Sequence, residues 1–412
     1  MTYHNAVKYL QQASIESKDS TLLPLLWEAL DAPQRGLKYL RVTGSNGKTV
    51  CAELLLSAFQ KSEYVIGSIS LPMYEDGRTN IRINAQQLSP EEFASYVERV
   101  VQALKDVNLA RTKETSEDAN EAPKAPLSLS QSELLLSAAL LAFREHRCAF
   151  CIIESDASSS DPTRSMPAPF AAAICGTIPS ENQKEIHDIR SYIVHGIQEI
   201  VSAPQDQNAY RVISETCASI NCRLTIPTKS ELSISRLSLG GSEFSYKDEN
   251  YKLGLCGKFQ VTNATVVLEV INMLSRHGYT LSQEQIFDGL RQTKIPAKFE
   301  IVSVSPTVIV DSTHSETAIE VVCKALSDFQ SFLGNKLRLC FPDEALADQY
   351  RTALSPYDFS IESITTYSPD DKPKDVVSSV WTDLTKDEIL FFSVPNHQIK
   401  KLRDEILKRL HK

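Results

Sequence analysis

The stretch LKYLRVTGSNGKTVCAELLLSAF, residues 37–59, decides how the rest of the chain is read. An apolar, β-rich run from Leu37 to Thr43 ends in a loop with glycine at 44 and 47. Helical apolar spacing follows at Cys51, Leu54, Leu55, Leu56 and Phe59. Glycines without a Cβ let the backbone turn tightly and aim its amides at an anion, and the N-terminus of the next helix adds partial positive charge. In such a loop Gly44, Ser45, Asn46 and Gly47 form the cradle, Lys48 reaches the terminal phosphates of a nucleotide, and Thr49 offers a hydroxyl to magnesium. The longer eight-residue pattern places a glycine where Val42 stands, so the loop is the short form. The run YVIGSI behind the helix completes a βαβ opening.

Outward from this unit, β-rich runs alternate with helical periodicity, which predicts parallel sheets flanked by helices. A helix is expected from about Ser132, then a buried strand from Ala149 to Glu154. Residues 106–128, rich in Lys, Glu, Pro and Asn without an apolar stripe, read as a mobile surface loop. Alternation over residues 233–257, broken at Gly240-Gly241 and at Lys247-Asp248-Glu249-Asn250, predicts a small antiparallel insert. A helix is expected from Val261 to Ser275, and Lys-Ile-Pro-Ala around Ile295 reads as a linker. Beyond it TVIVDS, LRLCFP, SIESITTY and EILFFSVP alternate with helices. The expected fold class is therefore α/β: a large P-loop domain, 1–295, with a mostly parallel sheet, and a smaller Rossmann-like C-terminal domain, 296–412.

Composition narrows the functional classes. The 412 residues carry 43 Lys plus Arg against 52 Asp plus Glu, a net charge of −9, which argues against a general nucleic-acid binder. No apolar run approaches the roughly 18 residues of a membrane span, and MTYHNAVKYLQQ has no signal-peptide core, so a cytoplasmic protein is expected. The nine cysteines are odd in number and set among apolar neighbours, and read as buried free thiols. Cys148 and Cys151, within RCAFCIIE, are expected on opposite faces of a strand, which disfavours a zinc or redox pair.

The loop GSNGKT, its distance from the start and several later segments resemble the folylpolyglutamate synthase branch of the Mur ligase superfamily. IGSISLPMYEDGRTNIRINAQQLSPEEFASY is similar to the family's substrate-loop region, and LSQSELLLSAALLAFREHRCAFCIIE to the helix and strand that end in its magnesium-binding Glu. GKFQVTNA resembles the family's G-x-H-Q-x-x-N-A, IPAKFEIV its P-G-R-x-E, and VIVDSTHS its D-G-A-H-N. The resemblance implies an ATP-dependent amide ligase: a folate carboxylate is phosphorylated, and the amino group of L-glutamate displaces phosphate. It further implies ATP and Mg2+ as cofactors, a folate-like substrate and glutamate as partners, no nucleic acid or membrane partner, and a monomer.

Carried over by position, the resemblance puts Lys48 on the β and γ phosphates, and Thr49 and Glu154 on the magnesium side. Gln260 and Asn263 would lie near the adenine, Asp311 near the ribose, Lys298 where the family uses an Arg against phosphate, and His314 near the transferring phosphate, so that Lys48, Lys298 and His314 form the catalytic set. The departures fall at chemistry. Ser-Pro-His becomes Leu71-Pro72-Met73, and the Gly-rich stretch after the Glu becomes Ser155 to Arg164, with Asp161-Pro162-Thr163 echoing its end. An Asp-His pair becomes Ser180-Glu181-Asn182, and the segment with a carbamylated Lys becomes Val194-His195-Gly196-Ile197, where His195 reads as a packed or solvent-facing residue. Phe259 replaces a His and Lys298 an Arg, which keeps the charge but loses the bidentate fork. Asn263 also fits a helix cap and Gln260 a surface position. Two alternatives stay open: a paralogue that binds nucleotide or folate without turnover, and a ligase with a changed acceptor.

Overall fold

The computed structural model describes residues 1–15, 23–44, 46–73, 76–117, 126–156, 158, 160–368 and 370–410. Two compact units divide the chain: residues 1–227 with 266–286, and residues 228–265 with 287–412. This division differs from the expected break at 295/296. The antiparallel insert goes with the C-terminal unit, and the segment around Ile295, expected as a linker, is a packed part of that unit. Ile295 and Ala297 are buried, and Lys294 Nζ donates to Gly254 O at 2.7 Å.

Among the described residues the first unit holds eight strands: β1 (Tyr39–Gly44), β2 (Ile66–Ser70), β3 (Ile81–Ile83), β4 (Gln86–Gln87), β5 (Phe150–Glu154), β6 (Ala171–Cys175), β7 (Glu199–Ser202) and β8 (Arg223–Thr225). Their order is β4-β3-β2-β5-β1-β6-β7-β8; the six from β2 to β8 run parallel, and β3 and β4 extend the edge antiparallel. β1, β5 and β6 are buried at every residue. That is why they read as continuous apolar runs: a central parallel strand is covered on both faces. The helix Gln131–Glu145 starts at a capping box between Ser130 and Glu133 and is buried without interruption from Glu133 to Phe143.

Two expectations are corrected here. Most of the predicted loop at 106–128 is helix, since one helix runs from Pro90 to Glu117. The residues beyond its packed part are good helix formers (Lys, Arg, Ala, Glu), and propensity carries the helix on without an apolar stripe. Asn108 then clasps the returning chain, donating to Leu127 O at 3.1 Å and accepting from Leu127 N at 2.6 Å. Residues 118–125 of that expectation lie outside the described residues. Cys148 and Cys151, expected on opposite faces, are neighbours, and after burial the Cys148 thiol is the next cause raising the Cys151 pKa. β5 begins only at Phe150, so strand alternation does not reach back to Cys148. All nine cysteines are free; eight are buried and Cys148 is half-buried.

The second unit contains a three-stranded antiparallel sheet, β9 (Leu232–Ser238), β10 (Gly241–Tyr246) and β11 (Glu249–Leu253), in the order β11-β10-β9. Its second sheet comprises β12 (Glu300–Val304), β13 (Thr307–Asp311), β14 (Lys336–Phe341), β15 (Ser360–Thr366) and β16 (Glu388–Ser393), in the order β12-β13-β16-β14-β15. β12 pairs antiparallel and the other four run parallel. Alternate residues feed two cores, one with Ile309, Leu339 and Phe391, the other with Val310, Cys340 and Phe392. Helices therefore cover both faces, as an open parallel sheet requires. No helix among the described residues is long and apolar enough to cross a membrane.

Candidate nucleotide site

β1 delivers the phosphate loop to the carboxyl edge of the sheet, where open α/β folds bind ligands. Gly44 ends the strand at φ +117°, and a Cβ there would stand 2.0 Å from the carbonyl oxygen of Cys175 at the end of β6. Only glycine fits that approach. Gly47 caps the helix Lys48–Phe59 in the left-handed region and has no side chain of its own to occupy the helix's first amides. Backbone donors and helix dipole thus converge on one place, the arrangement that holds phosphate. Ser45 lies outside the described residues. Asn46 packs its backbone against Gly176, where an added Cβ would meet Asn46 O at 2.8 Å.

Lys48 Nζ donates to Gly44 O at 2.8 Å and pairs with Asp156 Oδ1 at 3.0 Å. Burial is the largest single influence on the Lys48 ammonium and lowers its pKa. Asp156, Glu154 and Cys175 together outweigh it, so the pKa stands above its ordinary value and the lysine stays charged. Thr49 Oγ1 donates to Glu154 Oε1 at 2.6 Å, and Glu154 is buried at the end of β5. Beside Glu154, a cavity of about 10 Å3, room for about one water, is lined in part by Glu53, Ser68, Ser70, Asn80 and Arg82.

A hydroxyl and a carboxylate at the mouth of a phosphate loop are hard oxygen donors. Magnesium takes one or two such protein ligands and completes its shell from phosphates and water. Thr49 and Glu154 therefore fit that ion. Among the described residues no group of three or more His, Cys, Asp or Glu could hold a metal independently. Leu71, where the family resemblance has a serine, is buried, and its amide donates to Glu154 O at 2.9 Å. It adds no hydroxyl to the donor set.

Other departures have structural employment. Asn182 caps the helix Gln183–Tyr192 by accepting from Glu185 N. His195 is exposed in a turn. Arg164 lies 4.3 Å from the centroid of the Tyr192 ring, and Arg41 stands 4.2 Å from the same centroid. Arg41 also donates to Thr163 O at 3.1 Å and ties β1 to the segment after β5. Among the described residues its Nε, Thr43 Oγ1 and Ser155 Oγ are buried without hydrogen-bond partners. Sequence reasoning missed Arg41 and Asp156. The available signals were a charged residue inside an otherwise apolar strand, and a second carboxylate two positions past Glu154.

In the second unit Lys298, Asp311 and His314 come together. Asp311 is buried at the end of β13; its Oδ2 accepts from Phe299 N at 2.8 Å and its Oδ1 from Thr313 N at 2.7 Å. Ala297 and Phe299 both have positive φ, so the carboxylate fixes a tight turn that presents the half-buried Lys298. Desolvation by the surrounding chain is the largest influence on the His314 imidazolium and lowers its pKa. Lys298 and His397 act in the same sense, and Asp311 and Asp343 oppose them. Gln260 and Asn263 are both buried in the helix Lys258–Arg276, where Asn263 Nδ2 donates to Gln260 Oε1 at 3.0 Å. The surface reading of Gln260 is thereby excluded. Phe259 packs edge-on against Phe299, with centroids 6.0 Å apart.

Fold and loop together define an α/β phosphate-loop protein carrying a second, mostly parallel α/β unit. No family model matches the sequence. Along most of its length, however, the chain is similar to folylpolyglutamate synthases, and it has their fold. It is 22% identical over 364 residues to the dihydrofolate synthase/folylpolyglutamate synthase of Bacillus subtilis (strain 168), covering 83% of this chain and 77% of that protein. It is 21% identical over 348 residues to a Haloferax volcanii protein named "Probable bifunctional folylpolyglutamate synthase/dihydropteroate synthase", covering 80% of this chain but only 39% of that longer protein. A solved structure named as an FPGS-AMPPCP-folate complex superposes with a TM-score of 0.79 at 18% identity, covering 99% of this chain and 100% of the other.

Proposed function

We propose that this chain is an ATP-dependent amide ligase that adds L-glutamate to a folate carboxylate. The observation that carries the reading is the phosphate loop with Lys48 held at its mouth and Thr49 hydrogen-bonded to Glu154, on a fold shared with a structure named for its ATP analogue and folate. In the reaction a carboxylate oxygen takes the γ-phosphoryl group of ATP, ADP leaves, and the amino nitrogen then attacks the acyl carbon as phosphate departs. Bound magnesium would supply charge neutralisation at the phosphates. The loop amides and Lys48 bind and orient the phosphates; Thr49 and Glu154 hold the metal side. Lys298 and His314 are proposed for the transferring phosphoryl group, Gln260, Asn263 and Asp311 for the nucleoside. Such chemistry depends on positioning and electrostatic stabilisation more than on a general base. A monomer in the cytoplasm, where nine thiols stay reduced, suits this reading.

The test is ADP release by the full chain with MgATP and glutamate, with and without a panel of reduced folates, products being weighed in the same tubes. The expected result is folate-dependent ADP and a mass gain of one glutamyl unit, both lost in Lys48→Ala and Glu154→Ala. Activity surviving in both variants would overturn the assignment. The exposed His195 and buried Leu71, at positions where the resemblance expects metal-side chemistry, favour a second reading, nucleotide binding without turnover. ATP binding without product from any folate would select it.

A further inference from the structure

We propose that Asp156 is the anion Lys48 exchanges for phosphate, and that it turns to the magnesium side when the metal nucleotide enters, making nucleotide binding depend on the metal. This inference rests on the nucleotide reading above and deepens it; the family resemblance assigns Asp156 no role.

Two of the three Lys48 donors are engaged, by Gly44 O at 2.8 Å and Asp156 Oδ1 at 3.0 Å. The partners differ in freedom: the Lys48 side chain is 17% exposed and the Asp156 side chain 57%. Lysine is held in the loop, whereas the carboxylate can swing away. A phosphate oxygen arriving at Lys48 must displace Asp156 or sit beside its negative charge. Asp156 follows Glu154 by two residues at the same strand end, and Glu154 is already the acceptor for Thr49. The displaced carboxylate therefore has the metal donors within reach along its own chain. Lys48, Glu154 and Asp156 sum to one negative charge before any phosphate binds. A metal-free nucleoside triphosphate meets that repulsion in full, and a divalent cation relieves it. Asp156 thus acts on the phosphates through Lys48 and the metal, as a positioning residue.

The measurement is calorimetric titration of the full chain with ATP and with AMPPCP, in EDTA and in excess Mg2+, for wild type, Asp156→Asn, Lys48→Ala and the double variant. Unchanged melting temperatures would verify folding. Asp156→Asn is expected to tighten metal-free binding by about tenfold and to shrink the gain from Mg2+ by a similar factor, equivalent to about 1.4 kcal/mol. In the Lys48→Ala background the same change should leave metal-free binding nearly unaltered. Wild type that binds MgATP while Asp156→Asn shows the same two affinities would overturn this proposal alone. Wild type that binds neither form would overturn the nucleotide reading and this proposal with it.

Discussion

The ends of β1 and β13 make an instructive pair. Both are buried parallel strands whose carboxyl ends carry motif residues. β1 runs into Gly44, turns against β6, and leaves the first amides of its helix without a side-chain cap. β13 runs into Asp311, whose two oxygens are committed to Phe299 N and Thr313 N. One strand end is organised around a place for an anion and the other around its own backbone. A carboxylate in a motif can hold the loop that presents a neighbour, here Lys298, as readily as it can touch a ligand.

Three tests would break or sharpen that contrast. The largest effect is expected from Gly44→Ala. Its Cβ would fall 2.0 Å from Cys175 O at a φ of +117°, so at least about 3 kcal/mol of stability should be lost, together with nucleotide binding. Urea melts with nucleotide titration would show it, and a variant of wild-type stability would remove the steric account of the loop.

The second test separates the two carboxylates. Asp311→Ala strands two backbone donors and should cost about 2–4 kcal/mol in a denaturant melt, with Asp311→Asn costing less because one acceptor remains. Glu154→Gln should change stability by less than about 1 kcal/mol while weakening MgATP binding about tenfold and metal-free binding less. Reversed outcomes would invert the roles assigned to Glu154 and Asp311.

The smallest effect concerns His314. Burial, the first cause, holds its folded pKa below the ordinary 6.5, so the unfolded chain binds the proton more readily. The associated stability is present above pH 6.5, falls as the pH drops through that value, and levels off below the folded pKa. Urea midpoints for wild type and His314→Gln across that window should diverge with pH; parallel curves would show that the histidine titrates alike in both states.

Much of this was legible in the sequence because it is local. Glycine spacing around Lys48 announces the loop, continuous apolar runs announce central strands, and alternation with Gly240-Gly241 announces the hairpin of β9 and β10. What was illegible depends on partners distant in sequence or on balances too fine for pattern. β12 is hidden in EIVSV because its pairing with β13 makes it a strand. The helix from Pro90 persists past its buried face on propensity alone. Arg41 looks like an anomaly in β1 until Thr163 and Tyr192 are beside it, and Asp156 looks like a surface residue until Lys48 is.

The distribution of thiols offers an experimental handle. With eight of nine cysteines buried, the half-buried Cys148 is the natural point of attack for a maleimide dye, six residues before Glu154 in the chain. The unaltered chain should therefore accept one fluorophore close in sequence to its strand β5, and the emission of that label could report ligand arrival without any engineered cysteine.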